Sequence, residues 1–179
     1  ILVLIAVGLF AGFVNTIAGG GSLLTLPLLI FLGLPPATAN GTNRIAIFVS
    51  ASAATLGFRS KNINSFPFSL YLGIAALLGA LIGARIAVEI DGLLFNKILA
   101  IIMIAVVFLM VLKPNYKSQL LEPKTSGKIL IWSMVAFFFI GIYGGFINAG
   151  IGFIIMLFLN YVNKLDLVRV NATKVALVL

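Results

Sequence analysis

Between Ala18 and Leu23 the chain reads Gly-Gly-Gly-Ser (Gly19, Gly20, Gly21, Ser22), a break set inside an apolar segment that covers residues 1–33. In water this would be an ordinary loop. In lipid it is costly, because every N–H and C=O released from a helix must find a partner inside the protein. Lipid is the relevant solvent here. The 179 residues are 62% hydrophobic and only 9% charged, where soluble domains carry roughly 25% charge, and the mean hydropathy is +1.24. The chain therefore reads as an all-α polytopic membrane protein, and its break points to a use.

Spanning helices need about 20 apolar residues, within a range of about 17–25. Residues 1–17 meet the lower bound. Residues 22–32 are too few to span comfortably and include Pro27, so they read as a half-helix or re-entrant limb that Leu34-Pro35-Pro36 ends. Further helices are expected over 42–56, 67–88, 93–112 and 129–148, with a second short segment over 151–159 and a last apolar stretch reaching Leu179. That makes about seven to eight membrane segments. Both termini fall inside apolar runs, so the chain reads as a fragment.

The net charge of +8 follows membrane topology rather than a nucleic-acid surface, since no basic run alternates with aromatics. If each segment crosses, the loops around Arg59/Lys61, over 113–128 and around Lys164/Arg169 share one side, while Glu89 and Asp91 lie on the other. The excess of Lys and Arg makes the first side cytoplasmic. With no cysteine and no histidine, thiol chemistry and a Ser–His nucleophile within these residues are excluded. The four acids (Glu89, Asp91, Glu122, Asp166) all lie near span ends, so neither a metal site nor a mid-membrane proton relay is indicated. No enzyme and no cofactor is expected.

The break has a counterpart. At a shift of 133, Gly8, Gly12, Phe13, Asn15 and Gly19 meet Gly141, Gly145, Phe146, Asn148 and Gly152. At a shift of 131, Asn40 and Thr42 meet Asn171 and Thr173, and after one further gap Arg44 meets Lys174. The first copy starts outside and the second inside, so the two are inverted across the membrane plane. Inverted repeats with interrupted helices are a transporter architecture, with the binding site near mid-membrane. The expected division is residues 1–112 as a first repeat, 113–127 as a cytoplasmic loop, and 128–179 as a truncated second repeat. The second copy has Gly150 and Gly152 but no third glycine and no proline matching Pro27, so its break is expected to be the less open of the two.

Gly12-Phe13-Val14-Asn15-Thr16-Ile17-Ala18-Gly19-Gly20-Gly21-Ser22, Pro27, and Leu34-Pro35-Pro36-Ala37-Thr38-Ala39-Asn40-Gly41-Thr42 resemble the TauE/SafE family of sulfite and organosulfonate exporters. The second copy is similar to that family's weaker second motif. The resemblance implies a secondary transporter of small anions in the bacterial inner membrane, usually exporting from the cytoplasm. A passive anion channel or a lipid-handling membrane protein is the alternative. The residues leave the oligomeric state unassigned.

A small oxyanion needs dense, fixed donors and positive charge. The amides of Gly19, Gly20 and Gly21 would supply donors, and so would Gly150 and Gly152. Half-helices starting near Ser22 and Thr42 would aim positive dipole ends at it. Asn15, Ser22, Asn40, Thr42 and Asn43 would add side-chain donors, with Asn148, Asn171 and Thr173 opposite. Arg44 and Lys174, placed just inside helix starts, would bring a cation from each half to one water-filled pocket. Facing lipid, either charge would cost about 2.5–3.5 kcal/mol. Competing roles stay open: packing for Gly8, Gly12, Gly141 and Gly145, interhelical hydrogen bonds for Asn15 and Asn148, an N-cap for Ser22, and interfacial anchoring for the two cations.

Overall fold

A computed structural model describes residues 2–63, 65–112 and 122–179. Among the described residues the chain is eight helices without a strand: α1 (Leu2–Ala18), α2 (Ser22–Phe31), α3 (Pro36–Ser60), α4 (Phe68–Glu89), α5 (Gly92–Val111), α6 (Gly127–Phe146), α7 (Ile151–Tyr161) and α8 (Leu167–Val178). Three of them, α4, α5 and α6, are long and apolar enough to cross a membrane. The polar loop expected over 113–127 lies, for residues 113–121, outside the described residues.

The prolines at 35 and 36 do more than end α2. Pro36 opens α3, because a proline at the first helical position lacks only an N–H that would be unpaired anyway. Hence α3 is 25 residues long and starts six residues before the expected Thr42, which moves Asn40, Thr42, Asn43 and Arg44 off a helix N-terminus and into its second and third turns. The dipole argument made for Thr42 therefore fails. Elsewhere the ends are set by side chains. Asp91 accepts from the amides of Leu93 and Leu94 at the start of α5, and Asp166 accepts from those of Val168 and Arg169 at the start of α8, each satisfying amides that have no intrahelical partner.

Packing follows the small residues. A Cβ on Gly79 would lie 2.0 Å from the Phe138 carbonyl oxygen, and one on Gly141 would lie 2.1 Å from that of Ala76. Gly83 and Gly145 meet Ile142 and Ala80 in the same way. Thus α4 and α6 touch backbone to backbone, the close approach that small residues permit in lipid. Gly8 has nothing within 4 Å of such a Cβ. One buried cluster (Phe68, Leu72, Phe137, Ile155, Leu159, Val170) joins α4, α6, α7 and α8, and a second (Leu26, Phe95, Leu99, Ile147) joins α2 and α5 to the chain after α6. Large apolar side chains such as Phe31, Ile104 and Trp132 stand exposed, as suits a surface solvated by acyl chains.

Candidate functional site

The first break is a crossing, not a cradle. Gly19 has φ +72°, a left-handed conformation that favours glycine. Its absent Cβ would lie 2.2 Å from the carbonyl carbon of Gly152, so the first break touches the first turn of α7 main chain to main chain. Gly20 faces the Met110 side chain, and a Cβ on Gly21 would lie 2.1 Å from the Ala11 oxygen on α1. All three glycines are buried, and each faces a different neighbour.

The second break is the more open, contrary to expectation. Helix α6 ends at Phe146 and α7 begins at Ile151, leaving residues 147–150 outside any helix, against 19–21 in the first. Opening does not require a run of glycines. Ile147 is extended (φ −134°, ψ 116°), a conformation open to any residue, and only Gly150 needs a positive φ, +71°. The released groups find side chains instead. Ser22 Oγ donates to the Asn148 carbonyl at 2.8 Å and accepts from the Gly150 amide at 3.0 Å. Asn40 Nδ2 donates to the Phe146 carbonyl at 2.9 Å, and the Tyr143 hydroxyl donates to that of Ala149. Ser22 is thus a cross-link between the breaks and makes no side-chain cap on α2.

The two cations stand about two turns inside α3 and α8 rather than at their starts, and each reaches the other half's interrupted helix. Lys174 Nζ donates to the carbonyls of Asn15 (3.0 Å) and Thr16 (2.8 Å) in the last turn of α1, and to Asn171 Oδ1 (2.7 Å), with Met156 Sδ at 3.5 Å. Arg44 Nη2 donates to the carbonyls of Gly144 (3.1 Å) and Gly145 in the last turn of α6. A helix C-terminus carries partial negative charge, so both placements are favourable.

They differ in what is left over. An ammonium has three N–H donors. Those of Lys174 have three oxygen acceptors, and the residue is 2% exposed. Arg44 has five donors, and among the described residues its Nε and Nη1 have no hydrogen-bond partner. It is half-buried and lines a cavity of about 650 Å³ that also exposes Asn148 and Ser69. Lys174 instead borders a void of about 10 Å³ with Asn15, Asn148 and Gly152, room for about one water. The two cations do not share one pocket; Asn148 borders both spaces.

Of the remaining candidates, Asn43 is buried, its Oδ1 accepting from Thr25 Oγ1 at 2.5 Å, while Asn43 Nδ2 and Asn40 Oδ1 lack partners among the described residues. Thr173 is buried and lines a separate cavity near the loops. Thr42 is exposed on α3. Tyr143 and Thr25 escaped the sequence reading. Their signal is faint: Tyr143 replaces Phe10 in the repeat, and Thr25 lies one turn after Gly21.

A family model described as "Sulfite exporter TauE/SafE" matches residues 4–179. The chain is 32% identical over 155 residues to a "Probable membrane transporter protein" of Haemophilus influenzae, covering 87% of this chain and 60% of that protein. It is 29% identical over 147 residues to "Probable membrane transporter protein ORF9" of a Sinorhizobium species, covering 82% and 56%. It is also 29% identical over 150 residues to "Probable membrane transporter protein YfcA" of Escherichia coli, covering 84% and 55%. The chain spans no more than 60% of the length of these relatives. No solved structure matches it.

Proposed function

Because this chain belongs to the TauE/SafE sulfite exporter family of integral membrane proteins, we propose that it is part of a secondary transporter moving small oxyanions, sulfite or organosulfonates, out of the cytoplasm across a bacterial inner membrane by alternating access. The observation that carries the reading is Arg44: a half-buried guanidinium with unengaged donors beside Asn148 in a cavity of about 650 Å³. Its planar fork suits an oxyanion better than a point charge does.

In this reading the two halves, residues 1–112 and 128–179, are inverted repeats joined by a cytoplasmic loop over 113–127. Support comes from the element order, in which α1, α2 and α3 correspond to α6, α7 and α8, and from the reciprocity of the cations, each bound to the last turn of the opposite half's broken helix. The site divides its labour. Arg44 with Asn148 meets the anion; Ser22, Asn40, Gly19, Gly20, Gly21, Gly150 and Gly152 hold the crossing, with Asn43 tied to Thr25 on α2; Lys174, bonded to Asn15, Thr16 and Asn171, braces α8 against α1, and Thr173 lies on the loop side of α8. Thr42, on an exposed face, contributes least.

Counterflow in proteoliposomes tests this. Internal sulfite should accelerate uptake of external labelled sulfite or organosulfonate, as expected of a carrier and not of a pore. Arg44→Ala should abolish that exchange while the protein still inserts and purifies. Equal flux with and without internal substrate would establish a channel instead, and undiminished exchange by Arg44→Ala would remove the guanidinium from the site.

A further inference from the structure

Three cavities adjoin one another between the loops and Arg44. The outermost, about 450 Å³, is lined among others by Asn62, Ser65, Asp166 and Arg169. The next, about 360 Å³, has Thr55, Arg59, Ser65 and Ser69 in its wall, and the innermost is the one that holds Arg44. Ser65 borders the outer pair and Ser69 the inner pair; among the described residues Phe66 is the one that borders all three.

We propose that these cavities form the loop-side access route for the anion, with Phe66 as its gate and Arg59 and Arg169 as the cations that draw the anion in. The inference rests on the transporter reading above and extends it to residues outside the site. Its chemistry is graded along the path. The mouth holds Arg169, whose Nε lies 3.4 Å from Asp166, and the next cavity holds Arg59, in the last turn of α3, which makes no ion pair among the described residues. Arg59 therefore supplies the larger share of the attraction. Between Arg59 and Arg44 the polar groups in the walls are the hydroxyls of Thr55, Ser65 and Ser69, set among apolar side chains. Thr55 Oγ1 is buried there without a partner among the described residues, a donor left for something that enters. Phe66, largely exposed, is the aromatic side chain that stands where the three cavities meet. By charge distribution the loops are cytoplasmic, which is where an exporter loads.

The absence of cysteine makes a clean test possible. Ser69→Cys, behind Phe66, is exposed from the loop side of membrane vesicles to a membrane-impermeant sulfonated methanethiosulfonate and, in parallel, to a neutral one. Thr55→Cys serves as a second reporter should Ser69→Cys insert poorly. Both reagents should label, and Phe66→Ala should speed labelling of Ser69→Cys about ten-fold for both. Arg59→Gln should slow the sulfonated reagent about three-fold, an effect that high salt removes, and should leave the neutral one unchanged. Arg169→Gln should act in the same direction but less. The route is overturned if Ser69→Cys and Thr55→Cys stay unlabelled while Ser65→Cys at the mouth reacts. The gate is overturned if the Phe66 variant changes nothing, and the steering if Arg59→Gln slows both reagents equally. Labelling reads access and counterflow reads transport, so an intact labelling pattern with failed counterflow sinks the transporter reading alone, and the reverse sinks only the route.

Discussion

The two breaks solve one problem by different means. The first spans residues 19–21 and gains its geometry by omission: three glycines whose missing side chains leave room for Gly152, Met110 and α1. The second spans residues 147–150 and gains its geometry by addition, with Ser22, Asn40, Arg44 and Tyr143 supplying donors to carbonyls that α6 has given up. Three of those four donors lie in the first half of the chain. The lesson is that a glycine run marks where two backbones must meet, whereas the extent of unwinding is set by who stands ready to bond the freed groups.

The sharpest way to break this contrast is to fill the crossing. A Cβ on Gly152 would lie 2.5 Å from the Gly19 Cα, and main chain cannot move aside as a flexible side chain can. Gly152→Val should therefore cost about 3 kcal/mol or more, read as a loss of folded protein in detergent melting. Gly20→Ala, which meets only the flexible side-chain ends of Met110 and Leu23, should cost under about 1 kcal/mol. Equal costs would mean that the glycines act alike.

Next in size are the two cations. Lys174→Met removes three hydrogen bonds, leaving the Asn15 carbonyl only its Gly19 amide and taking the ammonium from the Thr16 carbonyl and Asn171, and should destabilise by about 2–3 kcal/mol. Arg44→Met removes one engaged nitrogen and should cost roughly half of that in melting, while losing oxyanion binding measured by calorimetry or thermal shift. If Lys174→Met melts normally and loses binding, the roles are reversed.

Ser22→Ala should cost about 1–2 kcal/mol, because one hydroxyl serves a carbonyl and an amide of the second break; Tyr143→Phe, serving one carbonyl, should cost about 1 kcal/mol. Smallest of all, Thr42→Val on the exposed face of α3 should stay within about 0.5 kcal/mol of the parent and leave exchange unchanged.

Much of the helix plan is written locally. Apolar runs place α1, α4, α5 and α6 to within a few residues, and the shortness of residues 22–32 and 151–159 foretells α2 and α7, because length and hydropathy are properties of a window. The start of α3 was legible only to a reader who took Pro36 as an opening rather than a stop. Ile147 carries no mark of its extended backbone at all. The carbonyl of the next residue, Asn148, is held from afar by Ser22, 126 positions earlier in the chain, and the bond from Lys174 to Asn15 spans 159. Polar residues announce that they will need partners in lipid; which partners they take is decided by the packing of helices that no local pattern describes.

The meeting of Gly19 with Gly152 has a mechanical corollary. Where two polypeptide chains touch with only hydrogens between them, there are no rotamers to exchange and no slack to take up. Under the alternating-access reading proposed above, one half can tilt over such a junction but cannot slip past it, which would make the junction its fulcrum.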